Sequence, residues 1–406
     1  MRSLLLFLVA TSLFAQEPRY REELTVAEVT VEITVTDRRG NPVTGLTADD
    51  FEVREDGAPV AITFFREASA PADAIATGES GATARSSAAG PRTLFIFLDN
   101  DDINEDSRHR LFNSLRETSD AVMRDGGSIF LFLWTGKLQA VKPKDAATAR
   151  ELLTQFETDV KLRAAARAKE RGREIRGAVT PELVMAMERA ESLNLLAALD
   201  AAAGIVKQFP GRRIMLLASR GFLLPEPEPS DIAAAMATLS GSLGGLAASL
   251  PDGPLFAPEA AVRTGRDAAL HTALDAVAAA IANRHGFPVY GLFSGGLESV
   301  SLGTGIGGGG IPEPFSQTPS LSRPSGVGSI ADLAHRTGGA SFGAGSNFGP
   351  FLETVARDLN HFYTLAYRTA GELRFRRIEV RPKNREWTVR HREAVVPDDR
   401  PQTPGE

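Results

Sequence analysis

The residues best suited to chemistry lie in one short run, Asp99-Asn100-Asp101-Asp102-Ile103-Asn104-Glu105-Asp106. Carboxylates at its first and third positions could hold a hard divalent cation through oxygen. The run is not an EF-hand, because Asn104 stands at the sixth position, where that loop needs Gly, and Arg110 at the twelfth, where it needs Glu. The same stretch also fits a helix start, with Asp102 or Asn104 as N-cap and Glu105 and Asp106 set favourably against the helix dipole. The two readings are compatible, since Asp99 and Asp101 precede the cap.

Three other patterns invite a chemical reading and do not sustain one. Gly303-Thr304-Gly305-Ile306-Gly307-Gly308-Gly309-Gly310 lacks the Lys-Ser/Thr of a phosphate-binding loop and runs on to Pro312 and Pro314, so it reads as a loop. The six histidines, His109, His271, His285, His335, His361 and His391, show no metal-ligand spacing. Gly339-Ala340-Ser341-Phe342-Gly343 has the letters of a hydrolase elbow, but a helix precedes it and none directly follows. An elbow needs a strand before and a helix after, so a tight turn into a short strand is expected, and an envelope hydrolase is the remote alternative to a non-enzyme.

The elements that must position the acidic run are legible from periodicity. Thr93–Leu98, Ser128–Trp134, Arg213–Ala218 and Pro288–Phe293 are continuous apolar runs, the pattern of strands covered on both faces. Helices are expected at Glu105–Arg124, Ala146–Glu157, Pro181–Gln208, Glu259–Arg284, Ile330–Arg336 and Pro350–Leu359. Together these predict a doubly wound, mostly parallel α/β sheet over residues 92–360. Leu24–Thr36, Phe51–Gly57 and Val60–Phe65 alternate or turn as exposed-face strands do, as do His361–Tyr367, Leu373–Arg381 and Trp387–His391. Three strands alone bury too little to be stable, so residues 22–66 and 361–396 are expected to build one small β-sandwich from both ends of the chain. Residues 67–91, rich in Ala, Gly, Ser and Thr, read as a flexible linker.

Three stretches interrupt the plan. Asp159–Arg176 carries the cations Lys161, Arg163, Arg167, Lys169, Arg171, Arg173 and Arg176 against three acids, and reads as a solvated helix or arm, with docking to an anionic partner as the alternative. Leu223–Pro258 and Ser294–Gly326 are rich in Gly, Ser, Ala and Pro and follow strands directly. They therefore emerge at the carboxyl ends of strands, where open α/β sheets bind ligands.

Composition narrows the partner. Residues 1–15, Met-Arg-Ser followed by an apolar stretch and closed by Ala15, have the form of a secretory signal peptide. Export to the periplasm or beyond makes nucleic acid and nucleotides unlikely partners, and a net charge of −6 over 406 residues implies no polyanion either. The absence of cysteine excludes disulfides, thiolate sites and a lipidated N-terminal cysteine. No later stretch reads as a transmembrane helix, so a mature chain free of the membrane is expected.

Several segments taken together resemble the von Willebrand factor A (VWA)-related domain proteins found among exported bacterial proteins. They are VEITVTDRRGNPVTGLTADDFEVREDG, TLFIFLDNDDIN, PGRRIMLLASRGF and ADLAHRTGGASFGAGSNFGPFLETVARDLNHFYTLAYR. The resemblance implies a Rossmann-like domain that binds macromolecular ligands at its top face, often through a metal-ion-dependent adhesion site. That site takes an Asp-x-Ser-x-Ser loop, a Thr and a final Asp. Here the first Asp matches Asp99, but the serines become Asp101 and Ile103, the Thr falls at Leu195 or Leu196, and the Asp of Ser-Asp-Gly becomes Arg220 in Ser219-Arg220-Gly221. A guanidinium there would pair with Asp99 and Asp101 and repel a divalent ion. The expectation is thus a degenerate site with no metal and no cofactor, magnesium or another divalent cation at Asp99 and Asp101 being the alternative. The expected function is non-catalytic binding of a protein or envelope macromolecule, with Asp99, Asp101, Asp102, Ser219 and Arg220 on the ligand face. A metal-dependent adhesin is the rival.

Overall fold

The computed structural model describes residues 26–69, 90–99, 105–174, 181–222, 272–294, 327–343, 345, 347–370 and 376–395. In chain order the elements are β1 (Val26–Thr36), β2 (Phe51–Glu55), β3 (Ala58–Val60), β4 (Ile62–Ser69), β5 (Arg92–Asp99), α1 (Glu105–Arg124), β6 (Ser128–Trp134), β7 (Leu138–Val141), α2 (Ala146–Glu174), α3 (Pro181–Val206) and β8 (Arg212–Ser219). They continue with α4 (272–279, ending in the π-helical turns Ala280–His285), β9 (Val289–Phe293), α5 (Val327–Thr337), β10 (Ser341–Phe342), α6 (Gly349–Asn360), β11 (His361–Ala370), β12 (Arg376–Pro382), β13 (Thr388–Arg390) and β14 (Ala394–Val395).

The fold is mixed α/β. Six strands form one sheet in the order β10-β9-β8-β5-β6-β7, parallel except for β7, which pairs antiparallel with β6. Every residue of β5 is buried, as the unbroken apolar run requires when both faces are covered. Leu94, Ile96 and Leu98 face α1, α2 and α6 in one core, whereas Phe95 and Phe97 face α3, α4 and α5 in the other. That alternation is the period-two geometry of a strand placed between two helical layers.

Two four-stranded antiparallel sheets, β13-β1-β11-β4 and β14-β12-β2-β3, draw strands from both ends of the sequence. Val31 and Ile33 of β1 and Leu365 and Tyr367 of β11 meet Val53 of β2 and Ile378 and Val380 of β12, so the sheets share a third core. The hairpin from β2 to β3 turns at Asp56-Gly57, both with positive φ (49° and 84°), which is the type I′ requirement.

The structure corrects several boundaries. β4 continues through Ala68 and Ser69, which pair with Phe362 and His361, so the strand enters the segment expected as linker. Backbone pairing along β11 outweighs the poor packing of these small side chains. Likewise α2 does not stop at Glu157 but runs to Glu174, because no proline intervenes and Ala164, Ala165, Ala166 and Ala168 favour the helix, which carries Gly172 near its end. β7 was not expected; it is a four-residue return strand after the Gly136 turn (φ 83°), too short to carry a period of its own.

The sandwich sits at the amino ends of the parallel strands. There the backbone of Gly211, just before β8, has φ 78°, and a Cβ would stand 1.9 Å from the Pro91 carbonyl oxygen, so no other residue fits. The flanking arginines then bind across the junction. Arg212 pairs with Glu32 of β1 and lies over the Phe362 ring at 4.3 Å, and Arg92 reaches the side chain of Asn360 and, at 2.7 Å, the carbonyl of Asp125. Asp358, at the end of α6, accepts 2.7 Å bonds from Tyr290 Oη and from Arg390 of β13, and is 1% exposed. Arg392 donates to the carbonyl of Thr30; burial lowers its affinity for the proton to a pKa of about 10. The amino end is thus sealed by a buried ionic network.

Candidate functional site

At the opposite end, the strand order places a break in winding. The chain leaves β5 for α1 on one face, whereas α4, the next described helix after β8, packs on the other. Adjacent strands whose connections depart to opposite faces open a crevice at their carboxyl ends, the usual ligand site of open α/β sheets. The residues at that crevice are Asp99, the last of β5, and Ser219, the last of β8.

Their geometry follows from the strands. Each lies two residues beyond an apolar residue of the α3 face, Phe97 and Leu217, so both side chains rise on the same side of the sheet. Ser219 Oγ donates to Asp99 Oδ2 at 2.7 Å and accepts from the Gly221 amide at 3.0 Å. The serine thereby ties the carboxylate to the turn after β8, where Gly221 takes φ 85°. Asp99 is 2% exposed and Ser219 fully buried. The turn is also held from α5: Ser329 Oγ accepts from the Phe222 amide at 2.9 Å and donates to its carbonyl at 3.0 Å. Ser294, directly after β9, bonds through its amide to the Ser219 carbonyl at 2.9 Å. Its hydroxyl is buried with no hydrogen-bond partner among the described residues, a polar atom left for something else to satisfy.

Among the described residues Arg220 forms an ion pair with Glu191 of α3 at 3.1 Å, and Asp99 is engaged by Ser219. Asp101, Asp102 and Ile103 lie outside the described residues, as do Gly303–Gly310, 223–258 and 295–326.

The donor set can be weighed against a divalent cation. Leu195 and Leu196 lie in mid-helix within the unbroken α3 and are buried in its core, so neither supplies the oxygen expected of the Thr position. Among the described residues no three carboxylates or histidines come together. Among the described residues the site offers one carboxylate, one hydroxyl already bonded to it and a nearby guanidinium, whereas a hard cation takes six or more oxygens; Asp101 and Asp102, the other oxygen donors expected there, lie outside the described residues.

The remaining candidates fall elsewhere. Ser341 sits on the edge strand β10, paired with Gly291 of β9, after α5 rather than before a helix, as the turn reading expects. His109 contacts Glu157 at 3.1 Å and Asn113 at 3.0 Å on the exposed α1–α2 face. His391 is half-buried; its Nε2 accepts from the Val380 amide at 3.1 Å and its Nδ1 lies 2.7 Å from the Arg392 carbonyl, which requires the neutral ring, and desolvation lowers its pKa. Reading residues alone missed Glu191, Ser329 and the whole Asp358 network; paired arginines before a strand (Arg212-Arg213) were the available signal.

No family model and no curated protein matches the chain. Solved structures give distant likenesses. An aerotolerance-related membrane protein from Bacteroides fragilis aligns at TM-score 0.33 and 11% identity over 67% of this chain and 99% of that one. The PilB minor pilin from Streptococcus sanguinis aligns at TM-score 0.32 and 13% identity over 66% of this chain and 63% of that one. Three N-terminal domains of the type V pili tip protein Mfa5 from Porphyromonas gingivalis align at TM-score 0.32 and 8% identity over 92% and 68%. No described helix is long and apolar enough to cross a membrane.

Proposed function

We propose that this chain is an exported, non-catalytic interaction protein whose VWA-like α/β unit presents the carboxyl end of its parallel sheet to a macromolecular partner. The observation that carries the reading is the asymmetry of the sheet. The sandwich and its ionic network occupy the amino end, while the winding break, the buried unpartnered hydroxyl of Ser294 and the points where 223–258 and 295–326 leave the strands all belong to the carboxyl end. The site works without a metal, Asp99 serving to fix the turn that carries Arg220. The sandwich is a spacer or docking module, and export rests on residues 1–15.

Affinity capture from envelope extract tests this, using the intact protein and a variant lacking 223–258 and 295–326. Loss of the same captured species on deletion supports the carboxyl-end face. Unchanged capture moves the function to the sandwich or to the basic segment Asp159–Arg176. The metal-free site is tested separately: magnesium or manganese should leave the melting temperature of the wild type unchanged, and a rise that Asp99→Ala abolishes contradicts it.

A further inference from the structure

The long helices α2 and α3 both overrun the sheet at its carboxyl end. α2 starts near the amino end of β6 and reaches the level of the strand tips at Arg163, whose guanidinium donates to the carbonyl of Thr135, just after β6, at 3.0 Å. The helix then continues to Glu174, about 16 Å further at 1.5 Å per residue. α3 returns from the same side and reaches the strand tips at Glu191, paired with Arg220, so the turns from Pro181 onward also stand beyond the sheet. Burial agrees among the residues whose side chains are described: Val160 is the last buried one of α2, with 161–163 and 165 exposed, and Ser192 is the first buried one of α3.

Two features mark this overhang as a surface for a partner. The helix positions from Lys161 to Glu174 include six cations and two acids, Glu170 and Glu174, against three acids and one cation from Pro181 to Glu191 of α3, in a chain whose net charge is −6. In addition, of the four exposed large apolar side chains among the described residues, Leu162 (63%), Met187 (53%) and Leu193 (41%) lie on these two helices at the carboxyl end; only Phe64 lies on the sandwich. Exposed apolar side chains beside a cationic stretch suit a ligand with both negative charge and apolar groups. At 100° per residue the positions of Lys161, Arg163, Arg167, Lys169, Arg171 and Arg173 are distributed around the whole axis, with no large apolar residue after Leu162 until Ile175. A helix that lies in a lipid surface needs one continuous apolar face, which this pattern lacks.

We infer that the overhanging ends of α2 and α3 bind an acidic polypeptide segment carrying apolar side chains. This deepens the interaction reading and rests on it, since it places the partner at the carboxyl end. A labelled peptide of alternating Glu and Leu, titrated with the full chain, should bind, and binding should weaken about tenfold when salt shortens the Debye length from about 14 Å to about 6 Å. Combined reversal of Lys161→Glu, Lys169→Glu, Arg171→Glu and Arg173→Glu should abolish binding with the melting temperature retained. Leu162→Ser with Met187→Ser, at exposed positions that folding does not need, should weaken binding several-fold. Peptide affinity no greater than for a Gly-Ser peptide, or unaffected by the apolar pair and by salt, overturns the inference. So does co-sedimentation with phosphatidylglycerol vesicles without peptide binding. Capture unchanged by the loop deletion with peptide binding intact would sink the loop-face reading alone, and capture lost on deletion with no peptide binding would sink this inference alone.

Discussion

At the amino end of the parallel sheet, Asp358 is buried between Tyr290 and Arg390, and Arg212 is buried between Glu32 and the Phe362 ring. At the carboxyl end, Asp99 is equally buried, but it takes a serine hydroxyl, and the nearby Arg220 pairs outward with the partly exposed Glu191. The same residue types are thus set differently at the two ends. Where the two units of the fold meet, Asp358 and Arg212 are enclosed and each guanidinium has an acid, a carbonyl or a ring. On the proposed reading, the carboxylate at the other end shapes a turn, and the Arg220–Glu191 pair is left at the rim, where solvent and ligand compete for it.

The strongest way to break this comparison is to remove the enclosed charge. Asp358→Ala leaves Arg390 and the Tyr290 hydroxyl buried without their acceptor, and should cost about 3–5 kcal/mol in urea unfolding. Asp99→Ala removes one hydroxyl's acceptor and should cost about 1–3 kcal/mol. If Asp99→Ala proved the more damaging, the assignment of the two ends would be reversed.

A smaller effect tests the sandwich. His391 accepts from the Val380 amide only as a neutral ring, and burial lowers its pKa in the folded chain. The unfolded chain takes up a proton near pH 6.5 and the folded chain resists, so stability is full above that pH and falls as pH drops below it. The loss approaches about 1.4 kcal/mol per pH unit until the folded ring titrates. His391→Gln should flatten this slope between pH 6.5 and 5; an unchanged slope would place the titration elsewhere. Smallest of all, Arg220→Ala breaks a pair whose acid is 44% exposed, and should shift stability by about 1 kcal/mol or less. A larger loss would mean that the rim is part of the core.

The contrast between the two ends also explains what could be read from sequence. The strands β5, β6, β8 and β9 were legible because burial on both faces demands an unbroken apolar run such as Leu94 to Leu98. The sandwich was legible because Val29, Val31, Ile33 and Val35 alternate. Asp99 was visible for the same local reason, standing at the end of such a run. The Asp358 network was not, since Glu32 and Arg212 are 180 residues apart and Asp358 and Arg390 belong to different elements. No periodicity relates them; only the docking of the sandwich does. Residues 159–176 were legible only as a solvated helix or arm, because a cation-rich stretch without an apolar stripe gives the end of α2 no signature. Glu191 was missed for a related reason, its partner being set by where α3 crosses the strand tips.

Leu193 on α3 and Phe64 on β4 have similar exposure, 41% and 44%, and stand on the two parts of the molecule that the account assigns opposite roles. A photo-crosslinking residue at each position, activated in cells exporting the full chain, measures directly which one meets a partner. The account predicts a discrete crosslinked species from position 193 and none from position 64. Crosslinking from position 64 with none from 193 would contradict it, and would move the binding face from the sheet's carboxyl end to the sandwich.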